Sequence, residues 1–251
     1  MPSRWSALLL CVALASTACT APVDPGAPGS PTVITTATTT PTRTPRATPT
    51  RAVPKSPPTA TARRARRLLA HLKFAPRPTP AADYNRDAFG PRWSDIDGNG
   101  CNQRDDVLLR DAVPGTVRVG EQGACDHDVL AGTWVDPYTG ATLRFTDLKD
   151  LSQAQAIQID HVVPLAEAWV SGARAWSPQR REAYANNLGV LLAVDGPSNE
   201  SKGADDPAAW RPRKGYQCRY AVRWIAIKHR WQLSVDRPEV VALRQMLDRC
   251  R

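Results

Sequence analysis

Ala156-Ile157-Gln158-Ile159-Asp160-His161-Val162-Val163-Pro164-Leu165, answered further on by Asn187-Leu188, Leu191-Leu192-Ala193-Val194 and Asn199-Glu200-Ser201-Lys202-Gly203, is the part of the chain that decides the fold. The apolar runs Ala156–Ile159 and Leu191–Val194 are short and rich in branched residues, and they predict two strands. Asn199 to Lys202 then opens a short helix. Between the strands, Ala166 to Trp176 and Pro178 to Ala185 predict an inserted helical hairpin, with Ser177 as the cap and Pro178 in the first turn of its second helix. Two strands and a helix can enclose one divalent ion, and Gln158–His161 is the segment that delivers its first groups.

Hydrolysis of a phosphodiester needs a water deprotonated near neutral pH, positive charge on the phosphoryl oxygens and relief of the leaving oxygen. His161 can supply the first. Asp160 and Asn199 are hard oxygen donors suited to Mg²⁺ or Mn²⁺. Asn187 is placed to brace the loop before the second strand and keep His161 oriented, and Lys202 is a natural phosphate contact. Adjacent residues of an extended strand face opposite sides, so Asp160 and His161 need a distorted strand end or a loop to serve one site. A lone Asp-His pair is more often structural than catalytic. It is Asn187, Asn199 and Lys202 following in order that turn it into a candidate site. His71 and His229 lack such company, and His127 between Asp126 and Asp128 reads as a surface ion pair. Trp169, Trp176, Trp210, Trp224 and Trp231 could stack bases, but their helical spacing is that of core residues.

Asp-His-Val-Val-Pro-Leu at 160–165, the later Asn-Leu and the Asn-x-Ser-Lys-Gly resemble the HNH (ββα-metal) endonuclease superfamily. More closely, the chain is similar to exported actinobacterial HNH proteins related to the C-terminal nuclease domain of GmrSD-type modification-dependent restriction enzymes. The similarity takes in Phe89-Gly90, Trp93, Asn99-Gly100-Cys101, Arg110-Asp111, Asp136-Pro137-Tyr138-Thr139-Gly140 and Asp206-Pro207-Ala208-Ala209-Trp210. It implies His161 as general base, Asp160 and Asn199 as metal ligands, and Asn187 as the central asparagine. The third position is Asn where the family's name has His, and either offers one neutral ligand atom. The fold class implied is α+β, a small ββα-metal motif embedded in a mostly helical, disulfide-bonded domain.

The rest of the chain sets the compartment. Arg4, an apolar stretch from Ala7 to Ala15 and small residues to Ala18-Cys19 have the plan of a secretory signal over residues 1–21, too short to cross a bilayer. Cys19 stands where a lipid-bearing cysteine would, yet Ser16 replaces the usual Leu three places before it. Free secretion and anchoring on the outer face of the membrane both stay open. Residues 22–67 are dominated by Pro, Thr, Ala and Arg and read as a disordered tether, with the nuclease domain over 68–251. Residues 1–82 carry 11 Lys or Arg against one Asp, a charge of +10. Residues 83–251 carry 22 basic against 23 acidic side chains, a charge of −1, so the net +9 describes the tether and not a nucleic-acid face. A basic tether is drawn to acidic wall polymers or anionic headgroups, or serves as a phosphate-binding arm.

Cys101, Cys125, Cys218 and Cys250 are an even set in an exported chain and lack zinc-knuckle spacing, so they predict disulfides. Tyr220, Trp224, Ile227 and Trp231, then Val240, Leu243, Leu247 and Cys250, recur at helical steps. A short connection makes the two helices antiparallel, which brings Cys218 to Cys250 and leaves Cys101 for Cys125. Asp95, Asp97 and Asn99 around Gly98 suggest a calcium loop but lack its twelfth-position Glu, and the preferred reading is a tight turn. The expectation is an exported, metal-dependent HNH endonuclease acting on DNA or RNA, with no obligate protein partner. A non-catalytic wall-associated module and a hydrolase of another phosphodiester polymer are the alternatives.

Overall fold

The structure, a computed structural model, describes residues 59–76 and 83–250. The signal segment, Cys19 and the tether up to residue 58 lie outside them. Along the chain run α1 (Thr59–Ala70), α2 (Gln103–Asp111), β1 (Arg118–Gln122), β2 (Cys125–Val135), β3 (Thr142–Phe145), α3 (Leu151–Ala156), β4 (Ile157–His161), α4 (Leu165–Ser171), α5 (Pro178–Ala185), β5 (Leu191–Asp195), α6 (Gly196–Lys202), α7 (Lys214–Trp231) and α8 (Arg237–Leu247). Among the described residues no helix is long and apolar enough to cross a membrane. The fold is α+β, with two small antiparallel sheets, β1-β2-β3 and β4-β5, amid helices.

The β4-β5 pair divides two cores. Its register sets Ile157 against Asp195, Ile159 against Ala193, Asp160 against Leu192 and His161 against Leu191. Ile157, Ile159, Leu191 and Ala193 face a core shared with Val107, Leu108, Trp134 and Phe145 from α2 and the larger sheet. Leu192 and Val194 face a second core with Val162, Val163, Trp169, Tyr184, Tyr220, Trp224 and Leu243. A strand buried on both faces shows continuous apolar sequence instead of alternation, which is why Leu191–Val194 has no polar residue. The inserted hairpin has its expected cap: Ser177 Oγ accepts the N–H of Arg180 at 3.3 Å, with Pro178 in the first turn. The ββα unit closes with α6, which starts at Gly196, ahead of the expected Asn199, because Asp195 caps it through Ser198 N at 3.0 Å.

Both disulfides pair as expected, Cys101 with Cys125 and Cys218 with Cys250. Helices α7 and α8 pack on each other, so the second bridge ties the start of one to the end of the other. The first lies at the end of the Asp-rich loop that precedes Cys101. There Asp95 accepts the backbone N–H groups of Gly98 (2.8 Å), Asn99 (3.2 Å) and Gly100 (2.9 Å), and Asn99 Oδ1 accepts Cys101 N at 2.8 Å. These oxygens are used on the loop's own backbone, as in a tight turn. Gly100 is required there: at φ +90°, a Cβ would lie 2.4 Å from the carbonyl oxygen of Ala124.

The helix α1 corrects the tether boundary. It begins at Thr59, inside the segment read as disordered to residue 67, and buries Ala62, Ala65 and Leu69 against α7 and α8. Its apolar face is made mostly of alanine, whose small side chains let helices approach closely and leave little hydrophobic signal in an Arg- and Thr-rich window. Arg66 clasps the far end of the chain, donating to the Leu247 carbonyl at 2.9 Å and pairing with Asp248 at 2.9 Å. Residues 59–76 add five basic side chains and no acid to the described part, which moves from −2 over residues 83–250 to +3.

Candidate functional site

A cavity of about 350 Å³ opens where β4 ends. Three successive residues of the strand, Ile159, Asp160 and His161, line it together with Asn199 and Gly203 from α6 and its end. Successive side chains alternate in direction, so a cavity that touches all three runs along the free edge and end of β4 and not over one face. Asp160 and His161 both line this cavity, with β4 still regularly paired through His161.

His161 is half-buried, and its Nε2 lies 2.8 Å from the carbonyl oxygen of Ala185. A carbonyl can only accept, so Nε2 carries the hydrogen and Nδ1 is left as the acceptor nitrogen. Among the described residues nothing bonds to Nδ1. Burial pushes the imidazole down to about 3, with nearby Arg86 and Lys202 adding to the effect and the Ala185 carbonyl opposing it. The ring is neutral at physiological pH.

Asp160 is turned the other way and is 4% exposed. Its Oδ1 accepts Lys202 Nζ at 2.8 Å and its Oδ2 accepts the hydroxyl of Tyr138. Lys202 is fully buried, and it also donates to the His161 carbonyl at 3.0 Å. The expected phosphate contact from Lys202 is therefore not available at the surface: its ammonium fixes the backbone and carboxylate of the Asp-His pair from behind. Burial lowers its pKa, and Asp160 opposes that shift.

Asn199 is held by a relay. Glu200 Oε1 accepts from Gln158 Nε2 at 2.9 Å, which turns Gln158 Oε1 toward Asn199 Nδ2 at 2.8 Å. A carboxylate only accepts, so both amide orientations are fixed, and Asn199 Oδ1 is left with no hydrogen-bond donor among the described residues. An anionic oxygen from Asp160 and a neutral, oriented amide oxygen from Asn199 are a donor set that fits a hard divalent cation. Asn187 does what loop bracing requires: its Oδ1 accepts Gly189 N at 3.0 Å and its carbonyl accepts Val190 N at 2.8 Å. Orientation of His161 comes from the Ala185 carbonyl, with Asn187 shaping the turn just beyond it. Its neighbour Asn186 is buried and accepts Ser94 N at 3.1 Å.

The opposite wall was not foreseen. Tyr84, Arg86, Arg92 and Trp93, all from the segment before α2, line the same cavity. Burial and then the neighbouring Arg92 lower the pKa of Arg86, against the pull of Tyr84 and Asp87. Arg86 Nη1 donates to the Gly90 carbonyl at 3.1 Å, and among the described residues neither arginine has an ion-pair partner. Trp93 lies parallel to the His161 ring, 13° between planes and 6.4 Å between centroids. Basic and aromatic side chains interleaved in one short loop are the cue that would have found this wall. The five tryptophans at helical spacing are core or packed against it, as that spacing indicates. His127 bridges Asp126 and Asp106 at 2.6 and 2.8 Å, an ion-pair cluster outside the site.

Comparison with known proteins agrees with this architecture. The family model of the GmrSD restriction endonucleases, C-terminal domain, matches residues 103–246. The chain is 40% identical over 201 residues to an uncharacterized secreted protein of Arthroderma benhamiae, an alignment that covers 79% of this chain and 90% of that protein. No solved structure matches. With more than half its length matched, from α2 through the ββα unit to α8, the chain belongs to the family of the C-terminal domain of GmrSD restriction endonucleases, a nuclease-type domain.

Proposed function

We propose that the protein is an exported, metal-dependent nuclease in which His161 activates the water that attacks a nucleic-acid phosphodiester. The observation that carries this reading is the state of the His161 ring: neutral, fixed through Nε2 by the Ala185 carbonyl, with acceptor Nδ1 in a cavity walled by two arginines that have no carboxylate partner among the described residues. A general base needs a free lone pair beside the reacting centre, and an arginine pair without carboxylate partners is suited to hold phosphate oxygens. Asp160 and Asn199 would hold Mg²⁺ or Mn²⁺, which when bound offsets charge on the phosphoryl oxygens. In this scheme the Nδ1 of His161 takes the proton of the water. Arg86 and Arg92 hold the phosphates, and Lys202 and Tyr138 keep Asp160 in place from the buried side. Asn187 acts through the order of its turn. Export is supported by the relative described as secreted.

A non-catalytic role gives no reason for an oriented imidazole and two such arginines in one cavity. The test is cleavage of plasmid and single-stranded DNA or RNA by the mature protein with Mg²⁺ or Mn²⁺ and with EDTA. His161→Ala should lower the rate by about 10²–10⁴ without loss of folding, the usual contribution of a positioned general base. Near-normal cleavage by that variant at saturating Mg²⁺ would refute the mechanism. Asn199→Ala should raise the Mg²⁺ concentration needed for half-maximal rate.

A further inference from the structure

We infer that Trp93 is the platform on which a base beside the cleaved phosphodiester stacks, so the site takes nucleic acid whose bases are unpaired there. This rests on the nuclease reading above and narrows it to a substrate class. Three observations on the same residue carry it.

The first is position. Among the tryptophans of the described residues, Trp93 alone lines the cavity, and its indole runs parallel to the imidazole of His161. Arg86 and Arg92, which could meet the phosphate of a base stacked there, line the same cavity. The second is exposure. Trp93 is half-buried, packed against the α2-side core, whereas Trp134 and Trp224 are enclosed entirely. The third is backbone conformation. Trp93 has φ +59°, in the left-handed region that bulky residues rarely occupy. The next residue imposes the pose: Ser94 is fixed to Asn186 through its N–H at 3.1 Å and to Glu182 through its hydroxyl at 3.1 Å. A loop pinned to α5 and its end thus presents the indole to the cavity, and Ala185 of the same helix orients His161.

Stacking on an indole requires a free base face. In a continuous duplex both faces of each base are covered by its neighbours, and only an unpaired or locally opened nucleotide can offer one. A phosphodiester polymer without bases would gain nothing from Trp93.

Binding is read by fluorescence anisotropy in EDTA, with the mature protein and three labelled probes: a short single strand, the same strand with abasic units, and a blunt duplex of that sequence. The single strand should bind more tightly than the duplex. Trp93→Ala should weaken single-strand binding about ten-fold and leave abasic-strand binding unchanged, while Trp93→Phe keeps most of the affinity. The N-terminal basic segment acts on phosphates alike in all strands and drops out of the normal-to-abasic comparison. Equal losses on normal and abasic strands would assign Trp93 to loop structure and overturn the proposal, as would unchanged binding by Trp93→Ala or preference for the duplex. Cleavage by the same samples after addition of Mg²⁺ is scored separately. Its absence in the wild type would refute the nuclease reading, whereas the stacking result stands on affinity alone.

Discussion

Two lysines are sealed in this domain, Lys202 and Lys228, each with no exposed side-chain surface, and they are shifted in opposite directions. Lys228, on α7, donates to Glu167 at 2.7 Å, to Glu239 at 2.8 Å and to the Ser234 carbonyl at 2.9 Å; it is raised because Glu239 and Glu167, once both are ionised, outweigh its desolvation. Lys202, on α6, has one carboxylate, and that one is shared with Tyr138; it is lowered because desolvation is only partly offset. The first centre locks α4, α7 and α8 together far from solvent. The second stands directly behind the cavity. The same residue type at the same depth serves as scaffold where its charge is over-compensated, and, on the proposed function, as support for a site whose carboxylate would keep some capacity for another cation.

That contrast can be broken by substitution. Lys228→Met should have the largest effect, about 3–5 kcal/mol in urea denaturation, because it leaves Glu167 and Glu239 facing each other in the core. Its cleavage rate per folded molecule should match wild type, and a rate loss at full folding would erase the distinction. The next effect is a pH dependence carried by Glu239 of the Lys228 centre. Burial raises Glu239 from 4.5 to about 7, against the pull of Lys228, so the folded state keeps a proton that the unfolded chain releases near 4.5. The stabilisation is therefore full below pH 4.5 and lost as pH rises through 7, on the order of 3 kcal/mol in all. Comparing denaturation of the wild type and Glu239→Gln between pH 4.5 and 7.5 isolates it from the opposite contribution of His161: the stability of the wild type relative to the variant should fall as pH rises across this range.

Lys202→Met should cost less, about 1–3 kcal/mol, since the Tyr138 hydroxyl still bonds Asp160. Unlike Lys228→Met it should lower the rate per folded molecule, by releasing Asp160 and the His161 carbonyl. Equal activity in the two variants would mean that the site does not depend on its buried support. The smallest effect belongs to an uncharged control, Asn187→Ala, which removes the bond to Gly189 N and should cost about 1 kcal/mol. A loss of several kcal/mol there would show that the turn after α5 bears more of the fold than either lysine comparison supposes.

What could be read from the sequence was what local pattern encodes. The strands before Asp160 and after Asn187, the capped hairpin between them and the apolar stripes of α7 and α8 depend on residues a few places apart. The Cys218–Cys250 pairing came out of those stripes. Lys202 could not be placed that way, because its partner Asp160 lies 42 residues off and nothing local distinguishes a buried lysine from an exposed one. Nor could Arg86, Arg92 and Trp93, which sit in an irregular segment without period and meet His161 only through the fold. The amide of Asn199 was foreseen as a ligand, but its orientation rests on Gln158 and Glu200, whose roles are invisible until β4 and α6 lie side by side.

The clasp between α1 and the far end of the chain bears on the order in which the molecule can assemble. Arg66 and Asp248 are 182 residues apart, and Ala75 N donates to the Val235 carbonyl at 3.0 Å along the same seam. A polypeptide made from its N-terminus releases α1 first and the residues that cover it last. Contacts of such long sequence separation form slowly, after the loop between them has been closed. Until α7 is made, the face bearing Ala62, Ala65 and Leu69 has no partner, and α8 completes its cover, so a chain cut short just before α7 keeps that helix uncovered, with the Asp-His motif already made.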